Sequence, residues 1–212
     1  MMKEIRGYLK EKPLAPNVTL ETVTIFEVSR DPTNSIFSSL ASEHLPQLEQ
    51  AEKNAERHLF VHFGVHGSAS TFLLEQNAWN EMDFRVPDQK GYQPRQMPIC
   101  ETDGPTSNSL LCRLPLESIY ETLCDRHGKD QLVKLSTDPG RFLCNYLYYI
   151  SLSETLKYPN AHSLFVHVPP FDAIPKDKQL SFIHELLEQL CTAACEWCPD
   201  SLCNTTNVIS PH

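Results

Sequence analysis

Residues 131–156, QLVKLSTDPGRFLCNYLYYISLSETL, hold a strand, a turn and a buried helix in one run. QLVKLS reads as the strand, and Thr137-Asp138-Pro139-Gly140 turns the chain. The stretch RFLCNYLYYISLSETL that follows is apolar nearly all round, so its helix should be buried between other layers rather than lie on a wet surface.

The flanks repeat this alternation. Upstream, LESIYETLCDRHG (116–128) places Leu116, Ile119, Tyr120 and Leu123 on one helical stripe, and Gly128 supplies the stop. Downstream, Leu164 to Val168 is a strand cut off by Pro169-Pro170. A last helix over about 178–197 gathers Ile183, Leu186, Leu187, Leu190 and Ala194 on one face. Nearer the start, LFVHFGV (59–65) reads as a buried strand, and VTLETVTIFEV (18–28), rich in β-branched residues, as a strand after a short N-terminal helix. Residues 35–58 read as one or two helices broken at Pro46. Residues 76–109, with Pro87, Pro94, Pro98 and Pro105, suggest a long irregular excursion. Strands alternating with helices predict an α/β fold: a three-layer α/β/α sandwich, phosphorylase/hydrolase-like, on a mostly parallel or mixed sheet. One domain is expected over 1–198, with a flexible tail over 199–212.

Bulk properties exclude several partners. A chain of 212 residues with a net charge of -9 repels a phosphate backbone, so nucleic acid is not expected. The N-terminus carries no signal-like apolar run, and no segment approaches about 18 uninterrupted apolar residues, so no membrane association is expected. Eight cysteines without an export signal predict free thiols in a reducing, cytoplasmic setting.

In open α/β sheets the chemistry collects at the carboxyl ends of strands. Cys144 falls in the first turn of the helix after QLVKLS, where unsatisfied N–H groups and the helix dipole stabilise an anion. His167 ends the strand LFVHV, from which an imidazole can face the same crevice. A lone buried cysteine is usually a small hydrophobe, and a strand histidine a satisfied core group, so the pairing needs a more specific signal.

STDPGRFLCNYLYYISL (136–152), followed by FVHVPP (165–170), resembles the active-site segments of the pyroglutamyl-peptidase I cysteine peptidases. VHFGVHGSASTFLLEQNAWN (61–80) is similar to the family's strand and loop that carry a third catalytic residue, and ETDGP (101–105) is similar too. The resemblance implies Cys144 as nucleophile, His167 as general base and then acid, and Glu75 as the carboxylate orienting the imidazole. It implies substrates with an N-terminal pyroglutamyl residue and no metal or cofactor. Backbone N–H groups near Cys144 would hold the oxyanion, with Arg141 read as a structural ion-pair partner.

The chain departs from the family pattern in three places. It contains no apolar strand ending in the Gly-Phe-Gly-Pro-Phe loop that walls the substrate lactam, so the sheet is expected to lack the family's first strand. The alternative reading is therefore a catalytically weak or inactive family member acting as a binding or regulatory protein. His66 and Trp79 stand where the family has smaller or different residues. Cys191, Cys195, Cys198 and Cys203 do not match common zinc spacings and read as core thiols, and His58, His62 and His66 form no zinc pair.

Overall fold

The computed structural model describes residues 2–20, 22–25, 28–30, 57–128 and 132–196. Its elements are α1 (Met2–Glu11), β1 (His58–Val65), β2 (Phe72–Glu75), β3 (Asn77–Trp79), β4 (Ser109–Leu111), α2 (Leu116–His127), β5 (Val133–Ser136), α3 (Leu143–Thr155), β6 (Ala161–Val168) and α4 (Lys176–Glu196). The main sheet has the order β1-β6-β2-β5. β1 runs parallel to β6 and β2 parallel to β5, but β2 is antiparallel to β6, so the sheet is mixed.

The strand period of two divides the core. Phe72 and Leu74 of β2, Val133 of β5 and Leu164, Val166 and Val168 of β6 face one way, onto α1, α2 and α4 through Ile5, Leu123, Phe182, Ile183 and Leu186. Burying side chains of this size contributes about 1.5–3 kcal/mol each. On the other face Phe165 meets α3, whose Leu147, Tyr148, Tyr149 and Leu152 also reach Ala78 of β3. α3 thus lies between the main sheet and the two-stranded β3–β4 sheet, which accounts for its all-round apolar sequence. Helices cover both faces, as the α/β/α reading expects.

Three local expectations are corrected. The described residues of 18–28 form no strand, and Leu20, Ile25 and Val28 are exposed. β-branched alternation favours a pleated surface only where a sheet edge accepts it, and the described residues of the segment have none. β1 is the edge strand among the described residues, and of its eight residues only His62 is buried, so LFVHFGV is half-covered. The excursion over 76–109 is bracketed by β3 and β4 and held by polar anchors. Buried Asn80 donates to the Cys100 and Gly104 carbonyls at 2.9 and 3.1 Å, and Asp88 accepts from the backbone N–H groups of Arg30, Lys90 and Tyr92. Its core residues Met82 and Phe84 pack on Leu143 and Tyr146 of α3. Most of the helix expected over 35–58, and the tail over 199–212, fall outside the described residues. Among those described, no helix is long and apolar enough to cross a membrane.

Candidate active site

The turn after β5 delivers the chain to α3 in a fixed direction. Gly140 adopts φ 76°, a left-handed conformation that disfavours a side chain, and its N–H donates to Asp138 Oδ1 at 3.1 Å. Phe142 is extended at φ -96° and ψ -159° and supplies no side-chain cap. The first intrahelical bond runs from the Tyr146 N–H to the Phe142 carbonyl. The N–H groups of Leu143, Cys144 and Asn145 therefore belong to the donor-rich opening of the helix.

Side chains on either side of Cys144 lock that opening in place. Buried Asn145 accepts from the Trp79 N–H at 2.8 Å and donates to the Trp79 and Glu81 carbonyls at 2.9 Å. The composition of α3 carried the hint, since Asn145 is a lone amide in an apolar helix. Arg141 donates to Glu81 at 2.9 Å and Asp138 at 2.7 Å, and its guanidinium lies 4.9 Å over the Trp79 ring. Arg141 thus has the scaffold role expected of it, and Trp79 is its platform.

On the sheet side, Gly64 of β1 is in register with His167 of β6. A Cβ built on Gly64 would lie 2.8 Å from the Phe165 ring and 3.1 Å from Cys144 Sγ, so the sulfur rests directly over this glycine. The sequence offered no reason to single out Gly64. Gly64→Ala is expected to push the Cys144 sulfur by a few tenths of an ångström, because buried Phe165 leaves little room to yield. On the substrates that the resemblance implies, the loss in kcat/KM should be about 10- to 100-fold, with about 1–3 kcal/mol of overpacking visible in urea unfolding.

His167 joins the other two predicted residues. Its Nδ1 lies 2.7 Å from Glu75 Oε1, with both side chains buried, and Cys144 is near enough to act on the charge of the ring. An ionised carboxylate only accepts, so Nδ1–H donates to Glu75 and Nε2 is left for the sulfur. Burial alone would push the imidazole down. The hydrogen bonds to Cys144 and Glu75, and the charges of both, outweigh it and bring the pKa up to about 9. Glu75 is held from behind by Tyr148, one helical turn beyond Cys144, whose hydroxyl donates to the Glu75 carbonyl at 2.8 Å. Deeper on the same face His62, Ser151 and Ser163 form a string of 2.8 and 2.7 Å contacts. Burial lowers the His62 pKa to about 4, so that imidazole is neutral and braces α3 against the sheet.

A sulfur, an imidazole and a carboxylate from distant stretches of sequence thus come together at one site. The family model described as "Pyroglutamyl peptidase" matches residues 21–193, a span that holds all three. The chain belongs to the pyroglutamyl peptidase family. It is 30% identical over 192 residues to Pyroglutamyl-peptidase 1 of Homo sapiens, covering 86% of this chain and 79% of that protein. It is 32% identical over 124 residues to the Pyrrolidone-carboxylate peptidase of Pyrococcus furiosus, covering 58% and 56% respectively. Among solved structures, the pyrrolidone carboxyl peptidase of Fervidobacterium islandicum superposes with a TM-score of 0.64 at 23% identity, covering 90% of this chain and 89% of that one. Pyroglutamyl Peptidase I of Bacillus amyloliquefaciens gives a TM-score of 0.60 at 21% identity, covering 79% and 76%, and both comparisons speak to the fold.

The remaining expectations divide by position. Exposed His66 stands at the mouth of the site with its ring centroid 5.4 Å from that of His167. Among the described residues no group of three His, Cys, Asp or Glu side chains is placed to hold a metal ion. Cys198, Cys203 and the side chain of Cys195 lie outside the described residues.

Proposed function

We propose that the chain is a cysteine-type omega exopeptidase that removes N-terminal pyroglutamate from peptides by acyl transfer through Cys144. The observation that carries this reading is the buried His167–Glu75 pair with Cys144, in the first turn of α3, set over Gly64, the residue in register with His167.

The chemistry follows from the geometry. The Cys144 sulfur attacks the carbonyl carbon of the pyroglutamyl residue, and the carbonyl oxygen becomes an oxyanion within reach of the N–H groups opening α3. As the C–N bond breaks, His167 gives its Nε2 proton to the departing amine, and the shortened peptide leaves. Water, losing a proton to His167, then attacks the thioester. Pyroglutamate departs and the sulfur recovers its starting form. Glu75 keeps the ring in the Nδ1–H tautomer throughout and stabilises its cationic form. A cytoplasmic, reducing setting suits a mechanism that needs a free sulfur, and five free cysteines, Cys144 among them, stand among the described residues.

The test uses two amides of one fluorogenic amine. The pyroglutamyl amide should be hydrolysed with release of free pyroglutamate, and the prolyl amide, which has a charged ring nitrogen in place of a lactam, should be spared. Equal rates on the two, or no hydrolysis of either, would exclude this function.

A further inference from the structure

The side chains on the catalytic face of β1 follow the strand period through Phe60, His62 and Gly64, and the next rung is His66. His66 continues the parallel ladder one step past the strand, its N–H bonding the Val168 carbonyl at 3.0 Å, so its backbone is fixed. Its imidazole stands edge-on to His167, with centroids 5.4 Å apart and planes at 84°, while Ser68 Oγ lies 3.4 Å from its Nδ1. Unlike buried His62 and His167, it is exposed.

Resting on the function proposed above, we propose that His66 is a specificity-determining residue that reads the side chain immediately after the scissile bond. A pyroglutamyl group is the first residue of its substrate, so it is the end that enters the crevice, and the rest of the peptide runs out to solvent. A ring touching the proton donor His167 from the solvent side therefore lines the path of the leaving peptide rather than the lactam pocket. An imidazole offers an N–H donor, or a cation when protonated, and no negative charge. It favours a carboxylate following pyroglutamate and disfavours an ammonium.

The experiment compares kcat/KM for pyroglutamyl-glutamyl and pyroglutamyl-lysyl amides in the wild type and in His66→Ser. The ratio of the glutamyl to the lysyl substrate is expected to fall about fivefold in the variant, the scale of one exposed electrostatic contact. The pH dependence of Cys144 alkylation by iodoacetamide, which involves no leaving peptide, reads the cysteine–histidine pair directly. An unaltered ratio overturns the proposal. So does a shifted alkylation profile with both substrates slowed equally, since His66 would then act only by holding His167. If the wild type cleaves neither peptide, the function beneath the proposal fails and takes it along. Cleavage with an unaltered ratio removes the role of His66 alone.

Discussion

Cys144→Ala is expected to lower kcat/KM for a pyroglutamyl amide by about 10,000-fold or more while leaving the fold in place. Removing the proposed nucleophile abolishes the covalent route, and only the residual effects of binding and oxyanion stabilisation remain. The fold should persist because alanine is the best helix former and Cys144 is only partly buried. The locks on α3 run instead through Asn145, Arg141 and Tyr148. Far-UV circular dichroism checks the fold, and steady-state hydrolysis checks the rate. A tenfold loss or less would mean that the sulfur is not the attacking atom. Mass spectrometry of the quenched wild type supplies the positive counterpart: an acyl group on Cys144 during turnover, absent from the variant.

Cys144 and His167 stood out in the sequence because each has a local signature, a thiol in the first turn after a β-strand and an imidazole at a strand end before two prolines, but only the family resemblance paired them. Glu75 has none. It ends a four-residue strand buried on both faces, Phe72 and Leu74 toward one helix layer and Glu75 toward α3, so no hydrophobic alternation marks it. Only the resemblance of 61–80 to a known family pointed to it. The antiparallel placement of β2 against β6, which lets Glu75 reach His167, is likewise a long-range fact that short strands do not encode locally. β3 and β4, three residues each, are shorter than any periodicity can register. The described residues of 18–28 failed in the opposite way. Their pattern is strong, but a strand is a relation between two segments, and a pattern in one cannot supply the other.

The charge on Glu75 is what a second substitution isolates. Glu75→Gln preserves shape and burial, but the imidazole loses a carboxylate that both accepts its Nδ1–H and stabilises its cation. If the glutamine amide turns its NH2 toward Nδ1, the ring proton moves to Nε2 and His167 can no longer accept the thiol proton. In either orientation kcat/KM is expected to fall about 1,000- to 10,000-fold. The pH profile separates this cause from a simple loss of structure. His167 must carry its proton to release the amine, so wild-type activity should decline as pH rises through about 9. With Glu75 neutral, burial still pushes the imidazole down while one of the two groups holding it up has lost its charge, so the alkaline limb should move to lower pH. Folding stability should follow the same sign. A histidine raised from its ordinary value of 6.5 to about 9 contributes stability that is full below about 6.5 and is lost as pH rises through about 9. Urea midpoints between pH 6 and pH 9.5 should therefore fall less in Glu75→Gln than in the wild type. An alkaline limb that stays in place would mean that Glu75 does not set the charge of His167.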